Sequence, residues 1–369
     1  MTGQINFLYT DIGRGHPHYL DGIVECLPPE RIGTVTDVFA ETAGLARAAW
    51  SLARSVYHAG GRKPALSALY NRLRARVDYD RGGLLQGHMG RALRRRYVDD
   101  PATLVVAHPL LAALLKGKRD LFYQHGELAA PRESWVKGRH RTIVPTAATA
   151  DVFIAAGIAG ESLFVSGLCI EPALVRQAEV AFNTRLDRLA GSGPLCGAFF
   201  SSGAEPRQHV ESLAAAAASV VAGGGRAMVF ARRGGRLMTR LTRTRGEGSG
   251  LTLRLYDERR ELNDLTRGSF ADFDYFVAPA HERTHWALGL GLPMFVVGPS
   301  IGSFAPLNRE LLLTYDVARI IGDRRAALGL AAMLEASRRS GELRAMAEAG
   351  WGRFDTRGFL NIAEMLQSS

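Results

Sequence analysis

Short, nearly continuous apolar runs alternate with longer stretches of helical period, and the alternation occurs twice along the chain. In the first half the runs are Ile5 to Tyr9, Ile32 to Phe39, Thr103 to Leu110 (strand entering helix), Asp120 to Glu127 (strand entering loop), the strand that opens Arg141 to Ile158, and Ser162 to Pro172, whose strand ends at Gly167. Such runs predict strands covered on both faces, as in a parallel sheet. A helix is expected from Pro17 through Cys26, and another is capped near Thr146 and stopped by Gly157. Glu41 to Asp100 reads as mostly helical, with breaks at Gly60-Gly61 through Pro64 and at Gly82-Gly83. The polar stretch Val175 to Pro194 reads as a linker.

The pattern then restarts with Leu195 to Phe200, Arg226 to Arg232, Leu251 to Asp257, Phe273 to Pro279 and Pro293 to Pro299. Helices are expected between these strands, the clearest being the alanine-rich one from Pro206 to Ala222. The tail from Ala326 to Gln367 is helical with interruptions near Gly341, Gly350 and Gly358. The fold class is therefore α/β. Two doubly wound, Rossmann-like domains, 1–174 and 195–354, are joined by 175–194 and face a cleft.

Composition changes this picture little. The chain has 369 residues, 47% hydrophobic and 22% charged, ordinary values for globular domains. No apolar stretch reaches the roughly 20 residues that span a bilayer, and the start lacks a secretory pattern, so a cytoplasmic setting is expected. The cysteines Cys26, Cys169 and Cys196 form neither a disulfide framework nor a zinc site. The net charge of +10 is more informative. Much of it lies between Arg54 and Arg96, notably in Arg72 to Arg76 and Arg91 to Arg96, interleaved with leucines and tyrosines. This region reads either as a solvated helix face or as a docking surface for an anionic membrane. Nucleic acid is not expected, because no recognised binding motif accompanies the charge.

Candidate chemistry collects at the carboxyl ends of the predicted strands, where ligands bind in open α/β sheets. These positions hold His16 and His18, His108, His125 with Glu127, Ser201-Ser202-Gly203, Arg232, Asp257, and His281, Glu282, Thr284 and His285. His16 stands at the mouth of the turn Asp11 to His18, whose Gly13 and Gly15 let the backbone approach a ligand. The three-glycine dinucleotide fingerprint is absent. Ser201 to Gly203 precedes a helix and offers backbone donors and a helix dipole to a diphosphate, or simply caps that helix. Asp257 beside Tyr256 either borders a nucleobase or caps the next helix. His108 is either a packed turn residue or a ligand contact. No paired acidic motif for a divalent metal stands out, so metal-independent chemistry without a further cofactor is expected.

The order of these motifs resembles the GT-B glycosyltransferases, within them the branch containing lipid I N-acetylglucosaminyltransferase and monogalactosyldiacylglycerol synthase. The resemblance rests on the loop from Asp11 to Ile23, on Val105 to Leu111, on Val144 to Ile158 followed by Leu163 to Leu174, and on the stretch from His285 to Leu311. It implies a nucleotide-diphosphate sugar, UDP-linked, held by the second domain and an acceptor, lipid-linked or hydrophobic, held by the first, with inversion at the anomeric carbon. His16 would be the base, with Gly15, His18, His108, His125 and Glu127 around the acceptor. Ser201, Ser202, Gly203, Arg232, Tyr256, Asp257, His281, Glu282, Thr284 and Asn308 would surround the donor. A final helix within 355–369 would cross back onto the first domain. Two positions depart from the family pattern: Trp286 stands where a donor glutamate is expected, and Phe304 replaces the glutamine four residues before Asn308. A sugar-nucleotide 2-epimerase and a non-catalytic scaffold with a degenerate donor site are the alternatives.

Overall fold

The computed structural model describes residues 3–10, 12, 15–60, 71–72, 74, 76–243 and 250–368. Two six-stranded sheets are built in succession. The first takes β1 (Ile5–Tyr9), β2 (Ile32–Asp37), β3 (Thr103–Val106), β4 (Leu121–Gln124), β5 (Arg141–Val144) and β6 (Leu163–Val165) in the order β2-β1-β3-β4-β5-β6. The second takes β7 (Cys196–Phe200), β8 (Arg226–Arg232), β9 (Leu251–Tyr256), β10 (Tyr275–Ala278), β11 (Met294–Val297) and β12 (Ala318–Ile321) in the order β12-β11-β10-β7-β8-β9. All pairings are parallel. In both sheets the order reverses beside the first strand, which opens a crevice at the strands' carboxyl ends.

Each sheet buries side chains on both faces. In the first, Leu8, Trp50, Leu93, Val106 and Phe153 pack on one side, and Ile5, Phe7, Tyr19 and Ile23 on the other. That second side is completed by Phe359, Ile362 and Leu366 of the final helix, Gly358–Ser368, which returns from the second lobe to lie against the opening helix. The chain thus crosses between lobes twice, and the crossings touch. Leu168 N–H donates to Asp355 O at 2.7 Å, and Gly358 N–H donates to Leu168 O at 3.1 Å. Gly167 has φ +93°, and a Cβ there would sit 2.8 Å from the Asp355 carbonyl, so this hinge requires glycine.

Three elements differ from expectation. The opening helix runs Gly15–Cys26, which places His16 inside its first turn rather than in the loop before it. The stretch expected to be an irregular linker is mostly a 19-residue helix, Pro172–Ala190. Its Leu174, Ala178, Ala181, Phe182 and Leu189 are buried against the second lobe, so its apolar positions recur at helical spacing beneath a polar average. Strand β12 was not anticipated: it is four residues long, lies at the sheet edge and contains Arg319. The expected break from Gly60-Gly61 through Pro64 lies largely outside the described residues.

Candidate active site

The first part of the site surrounds His16. The His16 Nδ1–H donates to the Ala107 carbonyl at 2.6 Å, so the neutral ring carries its lone pair on Nε2. Burial lowers its pKa to about 4; the bond to Ala107 opposes this and nearby Arg74 adds to it. The ring lies 4.5 Å from that of His108. His108 caps the short helix after β3, its Nδ1 accepting from Leu110 N–H at 3.0 Å, and burial also holds it neutral. Arg74 donates to Tyr79 OH at 2.8 Å and pairs with the buried Glu133 at 2.5 Å, and Ser303 of the other lobe donates to Glu133. Asn71 bonds Ser300 O and Gly302 N–H of the same loop.

The second part is a polar seam between the lobes. Asn308 is fully buried. Its Nδ2 donates to Glu127 Oε2 at 2.8 Å and to Ala280 O at 3.2 Å, while its Oδ1 accepts from Ala129 N–H at 3.1 Å. Burial raises the Glu127 pKa to about 7; the Asn308 bond opposes this, Glu282 adds to it, and Tyr19 opposes it. Glu282 pairs with Arg283 at 2.6 Å, and the Arg283 guanidinium lies over Phe200 at 4.3 Å. Gly15 borders the cluster: a Cβ there would stand 3.5 Å from Glu127 Oε1. His285 accepts from Cys169 N–H at 2.9 Å, and burial lowers its pKa to about 3. The Thr284 hydroxyl is buried without a partner among the described residues.

The third part is open. A cleft of about 1400 Å³ runs between the opening helix (Asp21, Val24, Glu25) and the loops after β7, β8 and β9. Ser202, Gly203, Arg232, Tyr256 and Asp257 line it, joined by Arg233, Arg236 and Arg259. Arg259 closes one wall by a two-point pair with Asp21 of the first lobe at 2.8 and 3.3 Å. Arg233 pairs with Asp257 at 2.9 Å and Glu261 at 3.1 Å.

The residues expected around a donor therefore fall into two groups. Ser202, Gly203, Arg232, Tyr256 and Asp257 face the cleft. Glu282, Thr284 and Asn308 lie in the buried seam, with the half-buried His281 just before them. Ser201 is buried, its hydroxyl donating to Ser202 O. On the acceptor side, Gly15, His16, His108 and Glu127 collect near one another, whereas His18 rests against Tyr19 and Phe359. His125 has both nitrogens occupied: Nε2–H donates to Ala129 O at 3.1 Å and Nδ1 accepts from Tyr123 OH at 3.2 Å. It holds the loop that carries Glu127. Trp286 is 1% exposed, packed among Phe200, Phe270 and Phe276, with its indole N–H donating to Glu171 at 3.0 Å. Sequence reasoning gives no site role to Tyr19, Arg74, Glu133 or Arg259, although Tyr19 lies in the loop from Asp11 to Ile23 and Arg74 in the basic run from Arg72 to Arg76.

No family model matches the sequence, and no curated protein sequence matches it. Solved structures do match by shape. The UDP-GlcNAc 2-epimerase of Neisseria meningitidis bound to UDP-GlcNAc aligns over 99% of this chain and 100% of its own, with TM-score 0.62 and 10% identity. The UDP-N-acetylglucosamine 2-epimerase of Rickettsia bellii aligns over 100% and 95%, with TM-score 0.52 and 13% identity. UGT89C1 of Arabidopsis thaliana complexed with UDP aligns over 99% and 92%, with TM-score 0.52 and 12% identity. The fold is GT-B-like. At such identities a shared GT-B-like fold assigns no residue its role.

Proposed function

We propose that the chain is an enzyme acting on a nucleotide-diphosphate sugar, and that its reaction is epimerisation at C2 of the sugar. The observation that carries this reading is Glu127, a carboxyl buried between the lobes and shifted to about 7. Inverting C2 requires taking a proton from one face of the carbon while the C1–O bond to the diphosphate breaks, so that the C–H electron pair forms a C1=C2 double bond. A proton then returns to the other face as the C1–O bond re-forms, a cycle that suits groups exchanging protons near neutrality. Glu127 is such a group. Glu282 raises its proton affinity, and His16, kept neutral with a fixed tautomer, supplies a second proton acceptor beside the same helix start. The 2-epimerases from Neisseria and Rickettsia, which align along nearly the whole chain, support the choice of reaction, and UDP-GlcNAc is the first substrate to try.

Glycosyl transfer is the second reading, favoured by the open cleft with an arginine-bearing wall on one lobe and the opening helix on the other. The narrower likeness to the lipid I transferase branch belongs to this reading only. A cytoplasmic setting, which suits three free cysteines, is common to both. Incubation with UDP-GlcNAc in D₂O separates them by proton NMR. Deuterium at C2 and a second UDP-sugar without added acceptor are the expected result. UDP release that depends on an acceptor would select the transferase, and neither outcome across a donor panel would leave a binding protein.

A further inference from the structure

The helix Gly44–Gly60 carries more apolar surface than the core uses. Ala46 and Trp50 are buried, yet Leu45, Ala48, Leu52 and Val56, spaced by three and four residues along another side, face water. Leu45 is 74% exposed, Leu52 62% and Val56 48%. The helix Leu84–Tyr97 packs beside it and leaves Leu85 61% exposed, with His88, Arg91 and Arg95 also open to solvent.

The two helices themselves carry charge of one sign. Neither helix contains an aspartate or glutamate, and residues 42–77 hold none at all. Arg96 is taken up by Glu41 at 2.7 Å, but Arg47, Arg91 and Arg95 are exposed without an ion pair to any described residue. We propose that this face, Leu45, Leu52, Val56 and Leu85 with Arg47, Arg91 and Arg95, docks on an anionic lipid surface. Branched aliphatic side chains enter the headgroup boundary while arginines meet lipid phosphates. A second copy of the chain fits poorly, since a two-fold contact would set arginines against arginines. No described helix is long and apolar enough to cross a bilayer, so the contact is peripheral. Arg54, on the same helix, lines the open cleft, so docking brings the cleft wall close to the lipid.

The full chain should sediment with vesicles of phosphatidylcholine containing phosphatidylglycerol, less so as salt rises, and hardly at all with phosphatidylcholine alone. Leu45→Ser/Leu52→Ser/Val56→Ser should abolish sedimentation. Arg47→Gln/Arg91→Gln/Arg95→Gln should lower the partition coefficient about a hundredfold, from about fivefold per charge. All six positions are exposed, so a thermal melt matching the parent verifies folding. Equal binding to neutral vesicles, or binding indifferent to both variants, would overturn the proposal. So would a dimer seen by light scattering that Leu52→Ser dissociates, because the face would then belong to a second copy.

Discussion

The open cleft and the buried seam occupy the same interface between lobes, yet they use charge in opposite ways. In the cleft, Arg233, Asp257, Glu261, Arg259 and Asp21 pair while still wetted, where each pair contributes little. In the seam, Glu127, Asn308, Glu282 and Arg283 have lost their water, so a single hydrogen bond fixes a protonation state and one missing partner is costly. The first arrangement can exchange partners with an anionic ligand. The second can hold a proton at a chosen affinity. The proposed reaction on a charged sugar would need both, and the two arrangements lie side by side between the lobes.

The seam should therefore respond most strongly to mutation. Asn308→Ala strips partners from Glu127, Ala280 O and Ala129 N–H together, and the expected loss is about 3–5 kcal/mol in urea unfolding. A loss below about 1 kcal/mol would mean that the seam is as wet as the cleft. Glu127→Gln should act in the other direction and only above acid pH. Below pH 4.5 Glu127 is protonated in both folded and unfolded chains. As pH rises toward 7 the unfolded chain releases the proton and the folded one retains it, so the parent loses stability across that window and then levels off. Glutamine avoids that loss, and its advantage should grow from zero near pH 4 to about 3 kcal/mol at pH 8. A difference independent of pH would remove the raised pKa from the account.

Across the cleft the effects shrink. The Arg259–Asp21 pair joins the lobes with both side chains about one-third exposed. A double-mutant cycle with Arg259→Ala and Asp21→Ala should give a coupling of about 0.5–1 kcal/mol that fades in high salt. Coupling well above that, or insensitive to salt, would place this part of the cleft with the seam.

The two regions also differ in how legible they were in the sequence. Strands such as Arg226–Arg232 were readable to the residue because burial on both faces leaves no polar interruption, whereas β12 carries Arg319 at an edge and gives no such signal. Thr146, Gly157 and Pro206 marked helix ends by local chemistry that needs no tertiary contact. Ser202, Arg232 and Asp257, which line the cleft, are legible as strand-end candidates because strand ends are local features. The seam was harder. Asn308 and Glu127 were named, but on opposite sides of a reaction, because their bond spans 181 positions and forms only when the lobes meet. Nor could sequence show that His125 spends both nitrogens on Tyr123 and Ala129.

Arg232→Ala should have the smallest effect on stability and decides most about the cleft. Arg232 is exposed at the end of β8 and has no ion pair to a described residue, so its removal should change stability by less than about 0.5 kcal/mol. If the diphosphate lies along the loops after β7, β8 and β9, the same change removes a charge-assisted hydrogen bond. It should then weaken UDP binding about tenfold to a hundredfold in calorimetric titration. Unchanged stability with weakened UDP binding keeps the two regions distinct, one for gripping the nucleotide and one for the proton. Unchanged UDP binding would move the nucleotide out of the open cleft and toward the seam, where Trp286 and Phe200 already fill the space beside Arg283.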